Sequence, residues 1–181
     1  MQLLVAENKD YKYFKELYHS AFPPEERPSY IFMKWKLKHG KGELLIAKDN
    51  DVPVGFAHLI HYKDLVYLFF LAVDEKVRGK GYGTKILQLI KERNPGKRIF
   101  LAREPLDDNA DNAEQRKTRQ NFYIRNGFED ISIKIIEKNY LFDTMSVGGN
   151  ILPEEYEALI ENWGGKLVCR ILDMKAEEPL K

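Results

Sequence analysis

The stretch that most constrains this chain is the passage from an apolar strand into a helix through a glycine-rich turn. Residues 65–73, LVYLFFLAV, are almost wholly apolar, which is typical of a central strand covered on both faces. The segment that follows, DEKVRGKGYGT, alternates three glycines with Arg78, Lys80 and Tyr82. Residues 83–93 then carry apolar side chains at helical spacing. This order predicts a strand–turn–helix unit inside a mixed α/β sheet.

The chemistry of the turn predicts a binding site for a phosphate or pyrophosphate group. The first turn of a helix leaves backbone N–H groups without partners, and the helix dipole adds about half a positive charge there. Glycine lets the backbone approach an anion closely. The P-loop pattern is excluded because no Lys-Ser or Lys-Thr pair follows the last glycine. The dinucleotide pattern G-x-G-x-x-G fits poorly because Thr84 stands at its third glycine position.

Two motifs resemble those of a known family. Arg78, Gly81 and Gly83 satisfy the pattern R/Q-x-x-G-x-G/A, which resembles the acyl-coenzyme A-binding motif of the GNAT superfamily of N-acetyltransferases. Residues 121–128, NFYIRNGF, resemble the later motif of that family and begin about 40 residues after the first. The resemblance implies a single mixed, mostly antiparallel central sheet flanked by helices, of the acyl-CoA N-acyltransferase type.

The predicted domain organisation follows from the same resemblance. Residues 1–181 are expected to form one GNAT-like domain, with the motifs inside about 3–128 and with residues 129–181 completing the sheet. The predicted helices are 9–22, 28–38, 83–93, 112–126 and 153–163, and the predicted strands include 2–6, 65–73 and 98–103. KDND at 48–51 predicts a hairpin turn, and Gly127 a left-handed helix cap. KLVCRIL, at 166–172, is predicted to be the last strand, followed by a frayed tail.

The resemblance implies acetyl-CoA as the co-substrate, and the residue spacing gives no reason to expect a metal. It implies that the strand before the turn contacts pantetheine and that a nearby backbone N–H stabilises the thioester oxygen. The implied cofactor-binding residues are Leu71, Ala72, Val73, Arg78, Gly79, Lys80, Gly81, Tyr82, Gly83, Thr84 and Arg116. Arg116 stands where many family members carry an Asn. Its guanidinium is suited to a phosphate, and the alternative interpretation is a solvated helix face.

The implied catalytic residues are Tyr123, Glu26 and Glu25. Tyr123 matches the tyrosine that protonates the departing sulfur in the family, and the alternative is a half-buried packing residue. Glu25 and Glu26 lie in FPPEERPSY, in the loop between the first two helices, which in the family line the acceptor site. They are candidates to bind a cationic amine or to relay its proton. His58 and His61 lie on or beside a strand and are interpreted as structural.

The leading functional hypothesis is an N-acetyltransferase that moves an acetyl group from acetyl-CoA to a primary amine by direct attack. The amine belongs to a small molecule or a peptide. The alternative hypothesis is a non-catalytic acyl-CoA-binding sensor or scaffold. A third, a nucleotide- or nucleic-acid-binding α/β domain, is disfavoured because the 181-residue chain has a net charge of only +1.

Composition bears on disulfides, metal sites and the cellular location expected for this chain. The single cysteine, Cys169, cannot form an internal disulfide, and no His, Cys or Asp cluster has metal-ligand spacing. The N-terminus lacks a basic segment followed by a signal-length apolar run, and no stretch is long enough to span a membrane. We therefore expect a cytoplasmic protein that binds neither nucleic acid nor membrane. Exposed terminal strands are compatible with a homodimer.

Overall fold

Eight strands and six α-helices make up the fold in the part of the chain that the structure describes. The computed structural model describes residues 1–24, 27–137, 140–171 and 173–178. The strands are β1 (Gln2–Val5), β2 (Glu43–Asp49), β3 (Val52–Tyr62), β4 (Leu65–Val73), β5 (Arg98–Arg103), β6 (Glu129–Glu137), β7 (Tyr140–Val147) and β8 (Lys175–Glu177). The helices are α1 (Tyr11–Ala21), α2 (Tyr30–Lys38), α3 (Tyr82–Arg93), α4 (Ala113–Arg125), α5 (Pro153–Gly164) and α6 (Lys166–Ile171).

The strands form one mixed sheet in the order β1-β2-β3-β4-β5-β7-β6-β8. β4 and β5 pair in parallel, with Tyr67 opposite Phe100, and α3 is the crossover between them. The pairs β1–β2, β2–β3, β5–β7, β6–β7 and β6–β8 are antiparallel. The predicted mixed, mostly antiparallel sheet flanked by helices is therefore confirmed.

The chain divides into two compact units, of which the first contains residues 1–60 and 68–95. Its core joins α1 to β3 and β4 through aromatic rings. Phe14 meets the ring of Phe56 edge to face at 4.9 Å, and Tyr18 meets Phe70 at 5.2 Å. Phe14, Tyr18 and Phe56 are fully buried, and burial of a large apolar side chain contributes about 1.5–3 kcal/mol. This core fixes α1 against the strands that precede the glycine turn.

The second unit contains residues 61–67 and 96–181. In its core Tyr67 stacks on Phe100 with ring centroids 4.6 Å apart, and Tyr156 of α5 lies 6.3 Å from Phe100. The hydroxyls of Tyr67 and Tyr156 both donate to Oε1 of Glu137, at 3.3 and 2.9 Å. The shared, half-buried carboxylate is the acceptor for both phenols, so neither hydroxyl is left unsatisfied.

Local predictions for two turns are confirmed. In the β2–β3 hairpin, Asn50 and Asp51 have φ of 47° and 65°, which is the geometry that a two-residue hairpin turn requires. Gly127 has φ of 80° at the end of α4. There the N–H of Phe128 donates to the carbonyl of Tyr123 at 3.1 Å and that of Gly127 to Ile124 at 2.9 Å, which is a Schellman motif.

The prediction of a strand at 166–172 is wrong, because residues 166–171 form α6. Only Cys169 of this helix is buried, while Leu167 and Ile171 are 71% and 69% exposed. The apolar run therefore does not form a buried strand, and the Cys169 N–H donates to the carbonyl of Gly165 at 3.1 Å. The tail is also not wholly frayed, because residues 175–177 pair with β6 as β8.

Candidate functional site

The turn between β4 and α3 is built around two glycines in the left-handed region. Gly79 has φ of 80° and Gly81 has φ of 81°, and a Cβ added at either would meet nothing within 4 Å. Glycine is therefore required by backbone conformation rather than by crowding. Asp74 begins the turn, where its side chain accepts from the N–H of Lys76 at 3.0 Å.

The N-terminus of α3 has no side-chain cap. Its N-cap residue is Gly81, and the first helical bond runs from the N–H of Lys85 to the carbonyl of Gly81 at 3.1 Å. The N–H groups of Tyr82, Gly83 and Thr84 precede that bond and have no helical acceptor. The first turn of α3 carries no acidic residue that could occupy this end. The arrangement favours an anion.

The cations of the turn remain at its surface. The Arg78 side chain is 56% exposed, its Nε donates to the carbonyl of Val73 at 3.3 Å, and its Nη1 lies 3.7 Å from Glu75 Oε1. Lys80 is exposed. An ion pair this long and this exposed contributes little, so we expect Arg78 to exchange Glu75 for a stronger anionic ligand at little cost.

The end of β4 presents two different faces. Phe70 and Ala72 are buried, whereas Leu71 and Val73, which point to the opposite face, are half-buried. Gly55 of β3 lies against the buried side, where a Cβ would come within 2.5 Å of the Ala72 carbonyl oxygen and 3.2 Å of Ile86 Cδ1. The absence of a side chain at Gly55 thus allows β3, β4 and α3 to pack closely.

Tyr123 lies in the last turn of α4 and is 9% exposed. Its ring contacts Phe122 and Phe128 with centroids 5.1 and 5.7 Å away, and its carbonyl accepts the Phe128 N–H described above. Burial raises the pKa of the Tyr123 hydroxyl to about 12, although the charge of Arg119 opposes the shift. The hydroxyl is therefore protonated across the neutral pH range.

Comparison with known protein families shows to which family this chain belongs. The sequence profile of the acetyltransferase (GNAT) domain matches residues 40–130, which is just over half of the chain. The chain belongs to the GNAT acetyltransferase family. The matched range contains both motifs, from Arg78 through Gly83 and from Asn121 through Phe128, so the resemblance seen in the sequence is confirmed.

Solved structures with this GNAT fold include three informative neighbours. A protein from Bacteroides thetaiotaomicron ascribed to the GNAT family aligns with a TM-score of 0.75 at 23% identity, over 93% of this chain and 98% of that one. An aminoglycoside 6'-N-acetyltransferase complexed with coenzyme A aligns at 0.63, with 17% identity over 81% and 96%. Arabidopsis thaliana Naa50 in complex with a CoA-peptide bisubstrate analogue aligns at 0.59, with 20% identity over 81% and 97%. Among curated proteins, no sequence matches this chain significantly.

Arg116 of this GNAT chain is engaged within its own unit. Its Nε donates to Asn112 Oδ1 at 2.7 Å, its Nη1 to the carbonyl of Pro105 at 2.9 Å, and its Nη2 lies 2.9 Å from Glu104 Oε1. Arg119 also contacts Glu104, at 2.9 Å. Arg116 therefore fastens the loop before α4, and its predicted contact with a phosphate requires an exchange of these partners.

The predicted acceptor residues Glu25 and Glu26 lie outside the described residues. The chain on either side of them is held by Tyr18 and Arg27. The Tyr18 hydroxyl donates to the carbonyl of Pro28 at 2.8 Å, and Arg27 Nε donates to the carbonyl of Phe22 at 2.8 Å. The Arg27 guanidinium also lies 5.3 Å from the centre of the Tyr18 ring.

The two histidines singled out in the sequence are differently placed. His58 is fully buried, and its ring stacks on that of Phe70 with an interplanar angle of 10°. His61 is half-buried at the end of β3. In the described part of the chain, no group of three His, Cys, Asp or Glu residues is arranged to hold a metal ion. Likewise, no described helix combines the length and apolarity needed to cross a bilayer.

The sequence patterns did not indicate one residue that lies beside the turn. Asp49, the last residue of β2, accepts a hydrogen bond of 2.7 Å from the hydroxyl of Tyr82. The two residues are 33 positions apart, and no motif links them. KDND predicts the hairpin that contains Asp49 but gives no signal for its partner.

Proposed function

We propose that this GNAT protein transfers an acetyl group from acetyl-CoA to a primary amine. The observation that carries the proposal is the N-terminus of α3, which has no side-chain cap and where three N–H groups without a helical acceptor follow two left-handed glycines. A pyrophosphate matches this end in charge and in hydrogen-bonding capacity. Arg78 and Lys80 supply formal positive charge to the same ligand, and Leu71 and Val73 are the proposed contacts for pantetheine.

In the proposed reaction the neutral amine attacks the thioester carbonyl. A C–N bond forms, the C–S bond breaks, and coenzyme A leaves with the sulfur electron pair. A backbone N–H near the end of β4 is the proposed donor to the developing oxyanion. The amine proton passes to a base, for which Glu26 and Glu25 are the candidates.

Tyr123 is the proposed general acid for the leaving sulfur. A hydroxyl with a pKa of about 12 is a weaker acid than a thiol, whose ordinary pKa is about 8.5. Complete transfer of the phenolic proton to a thiolate is therefore uphill. We infer that Tyr123 acts mainly by donating a hydrogen bond to the sulfur as its charge develops, which gives a modest rate effect.

The proposed acceptor is a primary amine. The structural neighbours include enzymes named for aminoglycoside and spermidine acetylation, and a complex with a peptide-bearing bisubstrate analogue. These acceptors differ in size and share an amino group as the nucleophile. The acidic residues of FPPEERPSY suit a cationic amine, because a carboxylate attracts the ammonium form.

The first experiment is calorimetric titration of the chain with acetyl-CoA, with ATP and NAD as controls. The proposal predicts micromolar binding of acetyl-CoA and much weaker binding of ATP and NAD, since only acetyl-CoA offers both a pyrophosphate and a pantetheine arm. Equal binding of ATP, or no binding of acetyl-CoA, would contradict the proposal.

The second experiment separates an enzyme from an acyl-CoA sensor. Thiol release from acetyl-CoA is followed with a panel that contains polyamines, aminoglycosides, amino acids and N-terminal peptides. The proposal predicts thiol release that depends on at least one amine, with the acetylated product confirmed by mass. Tight binding of acetyl-CoA without amine-dependent release from any member would favour the sensor.

A further inference from the structure

The first residue of α3 is tied to the β2–β3 hairpin by a side-chain hydrogen bond. The hydroxyl of Tyr82 donates to Oδ2 of Asp49 at 2.7 Å. This distance is typical of a strong bond between a hydroxyl and a carboxylate. Both residues belong to the first compact unit. A side chain of the sheet thus reaches the helix end at which we place the pyrophosphate.

Such a tether matters because the two glycines that precede α3 contribute no side-chain contacts. Gly79 and Gly81 carry no side chains, and the space beside each is open. A glycine-rich segment loses more conformational freedom on ordering than other segments do. Any contact that fixes the direction of the first N–H groups of α3 lowers the entropy that ligand binding must otherwise cost.

Asp49 is well placed to act as the fixed end. It pairs with Val52 across the hairpin, and the two left-handed residues between them set the register. Its other oxygen, Oδ1, lies 3.6 Å from the backbone nitrogen of Met1. The carboxylate therefore sits on paired sheet backbone, and Tyr82 is its partner at the start of α3.

We propose that Asp49 is a positioning residue for coenzyme A: acting through the Tyr82 hydroxyl, it orients the first turn of α3 for the pyrophosphate. The inference rests on the proposed function, because it needs coenzyme A to bind at this turn. Asp49 itself does not contact the ligand in this scheme.

Simple electrostatics gives the opposite expectation. A carboxylate near an anion-binding turn repels the ligand, so removal of its charge should tighten binding. Orientation through the hydrogen bond predicts instead that loss of Asp49 weakens binding. The sign of the change in affinity therefore distinguishes the two effects.

The test measures the Kd for coenzyme A of the wild type, Asp49→Ala, Asp49→Asn, Tyr82→Phe and the Asp49→Ala/Tyr82→Phe double variant. We expect Asp49→Ala and Tyr82→Phe each to raise the Kd about 5- to 10-fold, the size of one net hydrogen bond. The double variant should match the single variants, since all three lose the same bond. Asp49→Asn should stay within about twofold, because an amide oxygen still accepts from the hydroxyl.

Two controls make the result specific. Asp51→Asn removes the same charge from the same hairpin at an exposed, left-handed position that Asn tolerates, and it should leave the Kd unchanged. Thermal unfolding checks that each variant is folded at the titration temperature. Asp49→Asn and Asp49→Ala both alter the contact with Met1, so a difference between them reports on the bond to Tyr82.

Tighter binding by Asp49→Ala, equal loss in Asp49→Ala and Asp49→Asn, or additive losses in the double variant would each overturn the inference. Such outcomes, in a protein whose wild type binds coenzyme A, would leave the proposed function intact. Failure of the wild type to bind coenzyme A would remove the proposed function and the inference with it.

Discussion

Arg98 on β5 binds the carboxylate of Glu155 on α5 through two parallel hydrogen bonds. Nη2 donates to Oε1 at 2.7 Å and Nη1 to Oε2 at 2.9 Å. Arg98 Nε also donates to Asp64 Oδ2 at 2.7 Å, and Glu155 accepts the N–H of Leu152 at 2.9 Å. One guanidinium thus joins the β3–β4 turn, β5 and the start of α5 within the second unit.

This bridge predicts an acid-sensitive contribution to stability. Hydrogen bonds from Arg98 lower the pKa of Glu155 below its ordinary value of 4.5, and they lower the pKa of Asp64 as well. A carboxylate whose pKa is lowered by folding stabilises the protein above the unfolded pKa, and the contribution is lost as pH falls through the folded pKa. Glu155→Gln should lower the free energy of unfolding by about 1–2 kcal/mol near neutral pH.

Denaturant unfolding between about pH 7 and about pH 3 checks this expectation. The difference between the wild type and Glu155→Gln should shrink as pH falls below 4.5, and it should vanish once pH falls through the lowered pKa of folded Glu155, where both proteins carry a neutral side chain at this position. Glu154→Gln is the matched control, since it removes an exposed charge from the same helical turn. A difference that is independent of pH would contradict the assignment to the Glu155 carboxylate.

Substitution of Gly81 should abolish binding of coenzyme A without unfolding the protein. A β-branched residue is strained at φ of 81°, so Gly81→Val should distort the turn and displace the N–H groups of α3. We expect the Kd to rise at least about 100-fold, the loss of several charge-assisted hydrogen bonds. Gly96→Val is the control, because Gly96 has φ of 72° and equally open surroundings but follows α3. Retained affinity in Gly81→Val would show that the ligand does not use this turn.

Tyr123→Phe should slow turnover and leave acetyl-CoA affinity within about twofold of the wild type, because a hydrogen bond to the leaving sulfur forms only as charge develops. We expect kcat with the best amine of the panel to fall roughly 10- to 100-fold, at or below the low end of general acid catalysis. Tyr140→Phe, at a tyrosine that is 55% exposed, is the control for loss of a phenol elsewhere. An unchanged kcat would show that the Tyr123 hydroxyl does not assist the reaction and that the side chain serves in packing.

Gly55→Ala should destabilise the first unit and weaken coenzyme A binding together. A methyl group there would lie 2.5 Å from the Ala72 carbonyl oxygen, so the end of β4 must move. Overpacking of this kind costs about 1–3 kcal/mol. Gly164→Ala is a milder control, since its nearest contact is a side-chain methyl of Val168 at 3.3 Å. Thermal unfolding and titration would measure both effects, and a normal Tm for Gly55→Ala would show that β4 accommodates the methyl group.

The features that sequence predicted best are those whose chemistry is local. The apolar run 65–73, the glycine-rich turn after it and the left-handed cap at the end of α4 each depend on residues within a few positions of one another. α6 and β8 could not be predicted in this way. The apolar residues of 166–171 are largely exposed, and the short polar segment 175–177 becomes a strand because β6 offers it an unpaired edge.

Contacts between residues far apart in the chain could not be predicted from sequence either, because they do not depend on local patterns. Asp49 and Tyr82 are 33 positions apart, and Arg98 and Glu155 are 57 apart. In neither pair does the sequence around one residue indicate which residue is its partner, and only the strand pairing of the fold shows it. The fold supplies that information by bringing the hairpin to the helix end and α5 to β5.

The two-residue turn between β2 and β3 therefore governs more than a change of chain direction. Successive side chains of a strand point to opposite faces, so a shift of register by one residue would carry the Asp49 carboxylate to the other face of the hairpin. Asn50 and Asp51 fix that register by their left-handed conformations. A single inserted or deleted residue at this surface loop, far from either sequence motif in the chain, would separate Asp49 from Tyr82 while leaving every motif residue in place.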